Sequence, residues 1–93
     1  MLISKEKLNL NSIEGNRVEI EINHNGIDRL KRNIEDENEY VVVYVYFDND
    51  LNVEKIMFAV QSTEIAMCDE MIVNISENEK EEIISFAKQE LNK

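Results

Sequence analysis

Cys68 and His24 are the only cysteine and the only histidine in the chain. A cysteine nucleophile needs a histidine and an orienting group beside it, and His24 lies far upstream. A zinc site asks for about four thiolate, imidazole or carboxylate ligands, so one Cys and one His make a poor start. Cys68 therefore reads as a small half-buried side chain. His24, between Asn23 and Asn25, reads as a loop residue next to a helix start. Asp48-Asn49-Asp50-Leu51-Asn52 looks like the opening of a calcium loop. Such a loop requires a glycine at its sixth position and a bidentate glutamate at its twelfth. Val53 and Ala59 stand there, so the run is expected to be a hairpin turn. Gly15 and Gly26 stand apart, which leaves no glycine-rich phosphate cradle. No metal, cofactor or catalytic residue is expected. An enzyme would have to draw on Glu64, Asp69 and Glu70 near Cys68 and His24, and no spacing brings these together.

Residues suited to binding are easier to find. Tyr40, Tyr44 and Tyr46 alternate along one apolar run, with Met57 and Ala59 in the run that follows. Tyrosine joins an apolar ring to a polar tip, which suits an interface. Glu64, Asp69 and Glu70 form a second candidate, a negative region continued by Glu77, Glu79, Glu81 and Glu82. Spaced carboxylates can occupy a groove built for phosphates on another protein, although glutamates in the first turns of a helix also serve its dipole. Arg29, Lys31 and Arg32 form a small basic patch, read as a solvated helix face.

The composition bounds these readings. Twenty acidic against ten basic side chains leave a net charge of -10, and 43% of residues are hydrophobic. A disordered tail would be poorer in apolar residues. The longest apolar run, Tyr40 to Phe47, falls well short of the roughly 20 residues of a membrane span. The acidity argues against direct nucleic-acid binding, whose affinity comes largely from neutralising phosphates. The excess is uneven, with a net of -2 over residues 1–38 and -8 over residues 39–93. A single cysteine permits no intramolecular disulfide, which suits a reducing cytoplasm, and the charges within MLISKEKLNL leave no apolar stretch of a signal peptide. Asn, Ile and Lys together make up a third of the chain, a codon signature of a low-GC bacterium or its phage.

Ninety-three residues make one domain, 1–93. Residues 1–10 fit a frayed strand or a short helix equally, and Ser12 to Asn16 reads as a turn. Arg17 to Asn23 alternates, with Val18, Ile20 and Ile22 inward and Arg17, Glu19 and Glu21 on a wet outer face. Asn25 is placed to cap a helix from Gly26 to about Ile34, whose stripe is Ile27, Leu30 and Ile34. Tyr40 to Phe47 is apolar on both faces and reads as a central strand. Val53 to Gln61 follows. Matching its Ile56, Phe58 and Val60 to the valines predicts Val45 opposite Ile56, Val43 opposite Phe58, Tyr44 opposite Met57 and Asp48 opposite Val53. Ile65 to Ile75 reads as strand interrupted near Asp69 and Glu70. Ser76 and Glu79 form a capping box that starts a helix reaching about Leu91.

The expected architecture is α+β, a two-layer domain with an antiparallel sheet of about four strands and two helices, in the order β-α-β-β-β-α. The expected function is a non-enzymatic, cytoplasmic protein-protein interaction module. Its partner would be another protein, one with a basic surface, bound through Tyr40, Tyr44, Tyr46 and Met57, through Glu64, Asp69 and Glu70, or through both. One alternative is a phage-type inhibitor that mimics nucleic acid. Another is a homodimeric housekeeping protein joined through the tyrosines.

Overall fold

The computed structural model describes residues 2–93; Met1 lies outside them. Five strands, β1 (Leu8–Glu14), β2 (Arg17–Ile22), β3 (Glu39–Phe47), β4 (Val53–Ser62) and β5 (Cys68–Met71), form one sheet. Their spatial order follows chain order, and every neighbouring pair is antiparallel. A one-turn helix, α1 (Asp28–Lys31), lies between β2 and β3, and α2 (Glu77–Leu91) closes the chain. The domain is the expected two-layer α+β type, with five strands in place of about four.

The extra strand is β1. It pairs Leu8 with Ile22 and Leu10 with Ile20, then slips so that Ile13 pairs with Val18. A bulge at Asn11 absorbs the slip. It breaks the period of two on which strand recognition rests, so Ser12 to Glu14 are strand and only Gly15 and Asn16 turn. Gly15 takes φ +60, the left-handed region that a tight hairpin asks of its first central residue. Ahead of β1, Lys5–Lys7 makes a single 3-10 turn.

β3 is central, as its composition demands. Val41, Val43, Val45 and Phe47 are buried on one side with Val18, Ile20 and Ile22 from β2 and Phe58 and Val60 from β4. Each fully buried aliphatic chain of this kind contributes about 1.5–3 kcal/mol. The β3–β4 register has Val45 opposite Ile56, Val43 opposite Phe58 and Tyr44 opposite Met57, as parity requires. It fails only at the hairpin end, where Phe47, not Asp48, pairs with Val53 and Glu54 is bulged out. Asp48 is otherwise engaged. Its carboxylate accepts from the N–H groups of Asp50 (2.9 Å) and Asn52 (2.8 Å), and Leu51 takes φ 62 to close the loop. These N–H bonds hold the Asp48 carboxyl below its usual range.

The first helix is shorter than its apolar stripe suggests. Gly26 sits at φ 83, outside helical space, and Ile27 is the N-cap with no side-chain bond. Asn25 caps nothing; its own N–H donates to Asn23 Oδ1. Beyond Lys31, Glu35, Asp36 and Glu37 would sit where a helix end favours cations. Ile27 and Leu30 still enter the core, and Ile34 packs against it.

β5 corrects another boundary. Asp69 and Glu70 lie inside the strand, while Val73 and Ile75 belong to an extended connection that packs against the core. A short, charged strand is a usual way to blunt a sheet edge. Ile72, just beyond it, is 93% exposed.

The capping box at the start of α2 is present. Ser76 Oγ accepts from Glu79 N (3.2 Å), and Glu79 Oε1 accepts from Ser76 N (2.9 Å). Glu79 does more than the motif requires. Its Oε2 also accepts from Ile3 N (2.7 Å) and from Arg29 Nη2, with the residue only 2% exposed. One carboxylate thus ties the N-terminal segment, α1 and α2 together. Arg29 also donates to the Asn74 carbonyl (3.1 Å), so it is a structural group and not part of a solvated basic patch. Ile83 and Ala87 of α2 pack on the valine side of the sheet, and the helix lies against β1, β2 and the 3-10 turn. Among the described residues no helix is long and apolar enough to cross a membrane.

Candidate functional site

Strand parity sends alternate residues of β3 away from the valine core. Tyr40, Val42, Tyr44 and Tyr46 therefore share a face with Lys55, Met57, Ala59 and Gln61 of β4. Arg17, Glu19 and Glu21 of β2 join them, as do Cys68 and Glu70 at the β5 edge. Both helices bury their apolar residues in the opposite core, so no described helix packs on this tyrosine face. Val42 and Ala59 are nonetheless fully buried. Their cover is the side chains of the face itself, with Tyr40, Tyr46 and Met57 packed around them.

A polar network organises that cover. Tyr44 lies at its centre and is 5% exposed. Gln61 Nε2 donates to the Tyr44 hydroxyl and to Glu19 Oε1 (3.4 Å), while Gln61 Oε1 accepts from the Tyr40 hydroxyl (2.8 Å). Asn11, in the β1 bulge, donates to Glu19 Oε2. The Cys68 thiol lies 3.6 Å from the Tyr44 hydroxyl, in hydrogen-bond contact. Burial is the main cause that raises the Tyr44 phenol above its ordinary value, with the Cys68 bond and the Glu19 carboxylate adding to it. Burial, then the Glu19 charge, raises Tyr40 in the same direction.

Two cations rest on the rings. The Arg17 guanidinium carbon stands 5.2 Å from the Tyr44 centroid, and Lys55 Nζ stands 5.8 Å from that of Tyr46. The Tyr44 and Tyr46 rings are 6.4 Å apart. Arg17 is also bridged to Glu14 at 2.7 Å. By register, Arg17 and Lys55 flank Tyr46, whereas Glu21 faces Val42 and Glu70 faces Ala59. Arg17, with Glu14 beside it, and Lys55 thus lie at one end of the strands, and Glu21 and Glu70 at the other.

Of the residues singled out for binding, Tyr40, Tyr44, Tyr46, Met57 and Glu70 share this face. Asp69 pairs with Val60, a core-side residue, and so points to the other side of the sheet. Glu64 stands in the β4–β5 loop, its N–H donating to Ser62 Oγ (3.1 Å). The three carboxylates do not converge. Cys68 is exposed, not half-buried, because the edge strand leaves one flank open. Glu19 departs furthest from the alternation rule, which sends it to water; it is only 9% exposed and is bonded by Asn11 of β1 and Gln61 of β4. The parity of Arg17, Lys55 and Gln61 was the available signal for this network, and their polarity concealed it. No group of three or more His, Cys, Asp or Glu among the described residues could hold a metal ion. A groove of about 470 Å³ between residues 56–58 and 71–75 adjoins the face at Met57 and Glu70.

Comparison with protein-family models, with curated proteins and with solved structures finds no match.

Proposed function

We propose that the chain is a non-enzymatic protein-interaction module that binds through the tyrosine face of its sheet. The observation that carries this reading is the placement of both helices on the valine side, which leaves the aromatic face uncovered. Tyrosine, methionine and arginine, enriched at interface cores, are the residues displayed there. Their side chains are already held by hydrogen bonds and ring contacts, so docking would cost little further rotamer entropy.

The acidity supports a second, charge-steered reading, inhibition of a basic nucleic-acid-handling protein. Glu77 and Glu81 are exposed at the start of α2, and a dense negative field speeds encounter with a basic partner. Affinity capture from an extract of the source organism separates the two readings. The wild type is compared with Tyr46→Glu/Met57→Glu on the face and Glu77→Lys/Glu81→Lys on the helix. The first reading expects a partner lost by the face variant and kept by the helix variant. The opposite pattern, with steep loss of capture at high salt, would move the function to α2. No captured partner in any arm, together with a chain that stays monomeric in solution, would overturn both.

A further inference from the structure

We infer that the occupant of the tyrosine face is a second copy of this chain, packed face to face about a two-fold axis that crosses the strands at the level of Tyr44. The inference rests on the docking role proposed for that face and names its partner. Its basis is the sorting of charge along the strands. Arg17, bridged to Glu14, and Lys55 flank Tyr46, while Glu21 and Glu70 lie at the level of Val42 and Ala59. Four residues separate the two levels, about 13 Å at the rise of a strand. Lys55, Glu21 and Glu70 make no ion pair among the described residues.

A two-fold axis across the strands turns the face end for end. It sets Lys55 beside the partner's Glu70 and Arg17, with its Glu14, over the partner's Glu21, while Glu19, at the axis, stays bonded to Asn11 and Gln61 and only 9% exposed. One operation satisfies both ends, as an isologous interface requires. Tyr44 lies at the axis, and Tyr46 of each copy falls over the partner's Val42. The alternative two-fold, along the strands, fails on charge because it places Arg17 of one copy over Lys55 of the other. A uniformly basic partner fails for the same reason, since the Tyr46 end would repel it. Four to five strands at about 4.8 Å spacing make a footprint of roughly 500 Å² per copy, below the usual ~800 Å² of a stable complex. The dimer is accordingly weak and exchanging.

The test is sedimentation equilibrium from about 10 µM to about 1 mM, the range in which a small interface associates. The wild type is expected to pass from monomer to dimer, less so at high salt. Lys55→Glu and Glu70→Lys should each raise the dissociation constant about tenfold or more, because each pair occurs twice and becomes repulsive. The double variant K55E/E70K exchanges the two charges and should regain most of the wild-type association. Unchanged melting curves in the single variants would show that the fold is intact. A chain that stays monomeric throughout, or a double variant no better than either single one, overturns the inference. If the wild type is monomeric while the Tyr46/Met57 variant still loses a captured partner, the docking role stands and only the second copy falls.

Discussion

Replacing Glu79 by glutamine removes one oxygen from the carboxylate that joins three parts of the chain. The glutamine oxygen can still accept from Ser76 N–H. Its amide nitrogen then faces Ile3 N–H and the Arg29 guanidinium, donor against donor. In the native protein those two groups share Glu79 Oε2. An unpaired buried donor costs about 1–3 kcal/mol, and breaking a buried ion pair costs about 3–5 kcal/mol. Arg29 is 32% exposed and recovers part of its hydration, which cuts its share to about 2 kcal/mol; with about 1 kcal/mol for the Ile3 donor the total is about 3 kcal/mol. A domain of this length holds about 5–14 kcal/mol, so the loss should lower the melting temperature by about 12–24 °C. Ser76→Ala is the internal reference, since it removes a cap alone and should cost about 1 kcal/mol. Urea melts followed by far-UV circular dichroism measure both variants. Amide exchange at Ile3 should accelerate in E79Q and not in S76A. An E79Q cost no larger than that of S76A, or an Ile3 amide that keeps its protection, would refute the three-way role of Glu79.

Three further outcomes follow from the geometry. Burial favours the neutral phenol of Tyr44, so its folded value lies above the unfolded one. The stability it contributes is present below about pH 10 and is lost as pH rises through the folded value; Tyr44→Phe should flatten that alkaline loss, read from urea midpoints across the range. Asp48 has the opposite sign. Its lowered value means that its contribution is present above about pH 4 and is lost as pH falls through the folded value, so Asp48→Asn should flatten the acid side of the profile. Gly15 has open space around its α-carbon but sits at φ +60. Gly15→Ala should therefore cost about 1–2 kcal/mol through backbone strain alone, and a loss near zero in a thermal melt would contradict it.

The sheet was legible wherever hydrophobic parity ran unbroken. Valines 41, 43 and 45 against Ile56 and Phe58 admit one register, and the structure adopts it. The start of α2 was equally clear, because Ser76 and Glu79 answer each other locally. β1 was hidden by its bulge, which moves the positions on the valine side from Leu8 and Leu10 to Ile13. The first helix was overextended because its apolar stripe continues to Ile34, while Gly26 and the acidic run limit the backbone to one turn. On the tyrosine face, the aromatic residues and Met57 follow from alternation. The burial of Glu19 does not, because it depends on Asn11 and Gln61 arriving from different strands. Asp69 and Glu70 are adjacent in sequence and for that reason point to opposite sides of a strand.

The bond from Ile3 to Glu79 also has a consequence for the order in which the chain acquires its structure. Each strand pairs with the one made just before it, so the hairpins can close locally and in sequence as the polypeptide leaves the ribosome. Ile3 must wait for a residue 76 positions later. Until α2 emerges, the valine side of β1 and β2 lacks the helix that lies against it in the finished core. A nascent chain arrested before residue 77 should therefore bind a hydrophobic dye and resist proteolysis poorly, and release of the last helix should end both behaviours in a single step.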